Sequence, residues 1–246
     1  MTEAVEVVMG KHWRVKVPEH RSHTPWDIWE IDRLQSMHKN IKPGNIVFDV
    51  GSEEGDMSAL YALWGATVVP FEPNPLVWPC FRLTWESNNL APPAHYFVGF
   101  AANETSLNPP ELLDDIKLPE KDGWPGCAYL PVISDHGFRN ETERGNDTPK
   151  IKLDEFADKH DVFPDAITMD VEGAEFEVLK GAETILRLHK PLVWVSLHPE
   201  FIIDKYPYKP YEVHMWMWKY GYMGTLLDTQ HEHHWFYWPK EIEIKL

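Results

Sequence analysis

Cysteine is scarce in this chain. There are two, Cys80 and Cys127, too few for a disulfide framework and neither in a CxxC nor at zinc spacing with histidine, so they read as core or incidental thiols. Basic charge is also in short supply: 23 Lys and Arg stand against 39 Asp and Glu, a formal charge of −16. Without a Lys/Arg cluster to offset it, this charge repels a phosphate backbone and argues against a nucleic-acid partner; an uncharged or cationic acceptor fits better. Long apolar runs are missing too. Residues 1–10 carry Glu3 and Glu6 and only a short apolar stretch, which predicts neither a secretory signal nor a membrane anchor, and a cytoplasmic location. Asn-x-Thr triplets at Asn103, Asn140 and Asn146 carry no weight on that expectation. No internal repeat is visible.

What is present describes one globular α/β domain over residues 1–246, with 43% hydrophobic and 25% charged side chains. Residues 1–44 read as an N-terminal helical extension. Trp26, Ile28, Trp29, Ile31 and Leu34 form its apolar face, and Lys42-Pro43-Gly44 ends it. Strand patterns follow at 45–50, 66–71, 95–100, 166–171 and 191–197, with weaker ones at 223–227 and 234–238. Helical patterns lie between them at 56–64, 74–88, 174–188 and 211–219, with Asn74 and Pro75 as N-cap and first residue and Gly65 as a left-handed stop. The alternation predicts a parallel sheet covered on both faces. Residues 101–150 lack periodicity and read as an insertion over the sheet, a lid or a variable surface excursion.

In such a sheet, ligands collect beyond the carboxyl ends of the strands. After the first strand comes Asp49-Val-Gly51-Ser52-Glu53-Glu54-Gly55, whose glycines permit a tight turn and close approach of backbone to ligand. Its spacing is GxxxG rather than the GxGxxG that cradles a pyrophosphate, and its acids suit a cationic ligand or complement a helix dipole. Glu72, 23 residues beyond Asp49, stands where a carboxylate can accept both hydroxyls of a ribose.

Phe48-Asp-Val-Gly-Ser-Glu-Glu-Gly55, Phe71-Glu-Pro-Asn-Pro75, Leu153-Asp-Glu-Phe156 and above all Met169-Asp-Val-Glu-Gly-Ala-Glu175 with Val178-Leu-Lys-Gly-Ala182 resemble the FkbM family of methyltransferases. The resemblance spans residues 41–200. It implies a class I methyltransferase fold: a Rossmann-like three-layer sandwich whose mostly parallel, seven-stranded sheet has an antiparallel last strand. It also implies S-adenosylmethionine as cofactor, with Asp49, Gly51 and Gly55 as the methionine-side wall and Ser52 and Glu53 in the same loop. Glu72 would hold the ribose, Pro73 and Asn74 would lie beside the adenosine, and Ala101 near the adenine. The chain departs from the family where Ser52-Glu53 replaces Ala-Asn and where Ser196 replaces a fifth-strand Glu.

Asp170, Glu172 and His198 follow the fourth and fifth strands and are the candidates for acceptor-side chemistry. Asp170 is the central positioning residue or base, and it also borders the cofactor. Acids at a helix start are favoured by the dipole alone, which is the competing account of Glu172. The same oxygen-and-imidazole cluster has donors for a divalent cation such as Mg²⁺, although spacing identifies no metal ligands. Twelve tryptophans, Trp26, Trp29 and Trp124 among them, suit a sugar ring but are more often packing groups. His231-Glu232-His233-His234 reads as a solvated rim rather than a metal tract.

The expected activity is O-methylation of a small carbohydrate or glycan acceptor. The competing readings are an NAD(P)-dependent oxidoreductase, which lacks its GxGxxG, and a catalytically silent cofactor-binding homologue. None of these motifs encodes the acceptor's identity or the oligomeric state.

Overall fold

The computed structural model describes residues 3–108, 114–132, 148–229 and 232–244. The insertion expected at 101–150 falls partly outside these, as do His231, Asn140 and Asn146.

The chain opens with a hairpin of β1 (Ala4–Met9) and β2 (Trp13–Pro18), reversed on two left-handed residues, Gly10 (φ 53°) and Lys11 (φ 67°). A 3-10 turn, Glu19–His23, and helix α1 (Ile31–Asn40) follow. The expected helical extension is thus corrected. Val15 and Val17 bury one face of β2, a period-2 pattern in a segment too short to stand out from sequence. Helix α1 starts late because 25–29 are held in turns on the Pro25 carbonyl and Glu30 is left-handed (φ 45°).

The central sheet holds six strands in the order β4-β3-β7-β8-β10-β9. These are β3 (Ile46–Val50), β4 (Thr67–Phe71), β7 (Ala166–Asp170), β8 (Leu192–Leu197), β9 (Tyr222–Asp228) and β10 (His233–Pro239). The pairs β3–β4, β3–β7 and β7–β8 are parallel, and β10 runs antiparallel to both β8 and β9. The expected antiparallel last strand is therefore present, whereas the seventh strand shrinks to one bridge, Phe71 to Phe97. After Phe97 the chain leaves the sheet edge, and β5 (Phe100–Ala101) pairs with β6 (Lys150–Ile151).

Two cores sandwich the sheet. Helices α4 (Leu153–His160), α5 (Glu175–Gly181), α6 (Glu183–Leu188) and α8 (Pro210–Lys219) cover the face that carries Phe48, Ile167, Val193 and Val195. On the other face α1, α2 (Asp56–Leu63) and α3 (Trp78–Ser87) cover Val47, Val68, Ala166 and Trp194. A short α7 (Pro199–Lys205), not expected from sequence, leads out of β8. The predicted single helix at 174–188 is two, α5 and α6, meeting at Ala182. A Cβ on Gly181 would collide with the Ala102 carbonyl oxygen, so this glycine lets the helix approach β5. Helix α3 begins at Trp78 rather than at Pro75, since Asn74 accepts from the Leu76 N–H (3.1 Å) in a local turn. Part of the expected insertion is core: Trp124, Cys127 and Ala128 are buried against α3. Trp26 is buried as well, which supports the packing account of these tryptophans. No helix among the described residues is long and apolar enough to cross a membrane.

Candidate active site

The tips of β3 and β4 are joined mainly by backbone. The Gly51 N–H donates to the Phe71 carbonyl (2.9 Å), and Gly51 adopts φ 79°. A side chain there would be strained and would also collide with the Asp170 carbonyl oxygen, so the loop lies directly against the end of β7. Gly55 (φ 75°) similarly leaves room only for the Phe81 ring. Glu72, buried just past β4, accepts from the Glu53 N–H (3.0 Å) with one oxygen and from the Asn74 N–H (2.6 Å) with the other. One carboxylate thereby ties the glycine loop to the Pro73–Asn74 segment.

Asp49 is turned inward. Its carboxylate accepts from the hydroxyls of Ser58 on α2 and Thr168 on β7, the latter at 2.5 Å. Burial raises its proton affinity, and the two hydroxyls oppose that. Asp49 therefore braces the loop from below. Ser52 lies beside it, buried, with its N–H on the Phe71 carbonyl (3.3 Å), while Ala101 packs in the core beside Ile151.

The loop's acidic side chains, which from sequence suit a cationic ligand or a helix dipole, meet basic partners from the N-terminal segment. Arg21, from the 3-10 turn, contacts Asp56 at 2.7 Å and Glu53 at 3.1 Å. His20 meets both oxygens of Glu54, at 2.9 and 2.8 Å. The N-terminal segment is thus a clasp across the back of the glycine loop. Sequence reasoning missed it because the partners lie more than thirty residues apart.

On the other side of the sheet centre, the structure brings Asp170 and His198 together. Asp170 ends β7 and its side chain remains 36% exposed; its Oδ1 lies 3.5 Å from Nε2 of His198, which follows β8. Nδ1 of His198 meets Oε1 of the fully buried Glu175 at 2.8 Å, and that oxygen also accepts from the Gly173 N–H (3.1 Å). Burial pushes the Asp170 carboxyl up to about 8, against the pull of His198 and Arg33. Burial also opposes charge on His198, but Glu175, Asp170 and Glu172 outweigh it and raise the imidazole to about 9. Near neutral pH both groups therefore favour their protonated forms. Glu172 is exposed on a left-handed residue (φ 53°) and takes part through its charge on His198.

Sequence reasoning missed the depth of this side. Ser196, noted only as a departure, meets Nδ1 of His234 at 3.0 Å. His234 is 1% exposed, which corrects the expectation of a solvated rim; alternation along β10 leaves His233 outside. Around Nε2 of His234 stand Asp228 (3.6 Å), Glu232 (3.6 Å) and Glu30 (3.9 Å). Arg33 pairs with Glu30. The run of histidines was the one signal that could have found this cluster.

A family model described as the methyltransferase FkbM domain matches residues 49–223. The chain belongs to the FkbM methyltransferase family. It is 26% identical over 173 residues to the hexuronic acid methyltransferase AglP of Haloferax volcanii, covering 65% of this chain and 62% of that protein. The FkbM methyltransferase structure from Methylobacillus flagellatus KT is similar at a TM-score of 0.52 and 15% identity, covering 79% of this chain and 44% of the other. The T. thermophilus 16S rRNA N2 G1207 methyltransferase, solved with AdoMet and guanosine, is similar at a TM-score of 0.51 and 14% identity, over 98% of this chain and 51% of that one. At these identities the structural likeness concerns the fold, and the chain spans less than two thirds of each of these relatives.

Proposed function

We propose that this FkbM protein is an S-adenosylmethionine-dependent O-methyltransferase acting on a hydroxyl of a small carbohydrate acceptor. The observation that carries this reading is the position of Glu72 and Asp170 at the tips of β4 and β7, the two strands that flank β3 and its glycine loop. When bound, S-adenosylmethionine supplies a methyl group on positively charged sulfur. The donor set fits it: Glu72 is oriented by two backbone N–H groups, as a ribose-binding carboxylate requires. Asp170 presents a partly exposed carboxyl group at the end of β7.

The chain's own share of the reaction is alignment and proton removal. Asp170, once ionised as the pH rises through about 8, takes the proton that the attacking hydroxyl releases. His198, held by Glu175, sets the position of Asp170. The carbohydrate assignment is supported by the hexuronic acid activity in the name of the Haloferax relative. The charge of −16 argues against RNA, despite the RNA-modifying enzyme among the structural neighbours.

Calorimetry with S-adenosylhomocysteine tests the cofactor half, and saturable binding is expected. Transfer of labelled methyl to neutral and acidic oligosaccharides, with an rRNA fragment as control, tests the acceptor half. Label on RNA alone would overturn the carbohydrate assignment, and absence of nucleoside binding would overturn the whole reading.

A further inference from the structure

Asp170 and Glu175 flank a turn with an unusual backbone. Between the end of β7 and the start of α5 the chain passes through two successive left-handed residues, Glu172 (φ 53°) and Gly173 (φ 104°). For a glutamate this conformation is costly, and it persists only where surrounding contacts impose it. Those contacts come from the segment that leads out of β8. A Cβ on Gly173 would stand 3.0 to 3.2 Å from Phe201 and from the ring of Tyr206, so this segment lies directly on the turn. Tyr208, a buried residue in the link between α7 and α8, donates its hydroxyl to the Gly173 carbonyl at 2.6 Å.

The same glycine carries the connection onward. Its N–H donates to Oε1 of Glu175 (3.1 Å), the oxygen that also meets Nδ1 of His198 (2.8 Å), and Nε2 of that imidazole stands 3.5 Å from Asp170. A continuous path of polar contacts therefore runs from Tyr208 through Gly173 to the proposed base. Tyr208 is itself well fixed. Its ring meets Phe176 of α5 edge to face, with centroids 4.9 Å apart, and the chain enters α8 at Pro210, whose helix is anchored by the buried Val213 and Met217. Phe201 completes the arrangement by stacking on the His198 ring, 5.5 Å between centroids and 12° between planes.

We propose that Tyr208 is a positioning residue for this methyl transfer. Its hydroxyl pins Gly173, the turn so held keeps Glu175 on His198, and Glu175 keeps the imidazole at Asp170. Loss of the hydroxyl moves the two titrating groups in opposite directions. His198 is faced by Glu175, Asp170 and Glu172, all of which favour its charged form; Asp170 is faced by His198 and Arg33, which favour its ionised form, and by Glu232 and Glu30, which oppose it. When Glu175 loosens, the imidazole binds its proton more weakly. Asp170 then loses part of a neighbouring positive charge and holds its own proton more tightly. General loosening of the fold requires no such opposition. The effect on turnover rests on the methyl-transfer reading, whereas the effect on His198 does not.

Tyr208→Phe removes one hydroxyl and keeps the ring. In the full-length protein, with folding checked by circular dichroism, turnover on neutral and acidic oligosaccharides at neutral pH should fall about tenfold, and its rise with pH should move upward. S-adenosylhomocysteine affinity, read by calorimetry, should stay within about twofold of wild type. Followed by NMR, the His198 imidazole should bind its proton about threefold or more weakly. Because the hydroxyl acts through Glu175, adding Tyr208→Phe to Glu175→Gln should weaken proton binding little further. A wild-type His198 titration in Tyr208→Phe, or effects that simply add in the double variant, overturns the proposal. If Glu175→Gln does not fold, the titration of Tyr208→Phe decides alone. If no oligosaccharide is methylated, the methyl-transfer reading fails, while a shifted His198 titration still supports the role of Tyr208 and an unshifted one overturns it.

Discussion

The two sides of the strand-tip cleft are built on different principles. On the β3–β4 side, backbone does most of the work: Gly51, Gly55 and the N–H groups of Glu53 and Asn74 define the surface, and one buried carboxylate, Glu72, ties it together. On the β7–β8–β10 side, the surface is made of charged side chains drawn from Glu30 to His234. A backbone-defined site tolerates little change in shape, whereas a side-chain-defined site tolerates changes in shape better than changes in charge. Substitutions should separate the two.

The largest effect is expected at Gly51. Gly51→Val places a branched side chain at φ 79° and into the Asp170 carbonyl, which displaces both sides of the cleft together. Strain and collision cost about 3 kcal/mol or more. Denaturant unfolding should show the loss, and calorimetry should show no nucleoside binding. Survival of both would mean that the loop is not held against β7.

Asp170→Asn keeps the shape and removes the charge. A fall in turnover of about a hundredfold or more is expected, with S-adenosylhomocysteine affinity within about threefold of wild type, as befits loss of a base. Were affinity and turnover to fall together, Asp170 would belong to the donor side instead. Glu72→Gln is the mirror experiment. Its amide can accept one backbone N–H but not two as a carboxylate does, so affinity should fall about tenfold, or about 1.4 kcal/mol, with turnover at saturation nearly unchanged.

The same contrast explains what could be read from the sequence. The glycine loop and Glu72 are legible because their spacing is local: a strand, a turn with left-handed glycines at 51 and 55, and a carboxylate one strand later. The strands β3, β4, β7 and β8 are legible for the same reason, as buried runs bounded by turn residues. Glu30 and Arg33 could not be assigned, since nothing in the 26–40 pattern says that Glu30 leaves the helix and turns toward β10. His234 shows the limit most sharply. Alternation along β10 separates it from His233, but only Ser196, 38 residues away on β8, reveals which of the two faces inward. The seventh strand failed for a related reason: residues 95–100 have strand composition, yet the pairing of β5 with β6 draws the chain off the edge after Phe97.

The smallest expected effect lies at the N-terminal clasp, and it asks whether the backbone-built side is as self-sufficient as it looks. Arg21 is 23% exposed and contacts both the nearly buried Asp56 and the more exposed Glu53. Its two bonds to Asp56 are charge-assisted, but solvent screens part of their value. Arg21→Ala should therefore cost about 1 kcal/mol of stability and weaken S-adenosylhomocysteine binding no more than about fivefold. A double-mutant cycle with Asp56→Ala, read by calorimetry and by denaturant unfolding, separates the two uses of this contact. Coupling seen in stability but not in binding would mean that the clasp only anchors the hairpin. Coupling of similar size in both would mean that the position of the loop depends on a side-chain pair, and the contrast between the two sides of the cleft would then be one of degree.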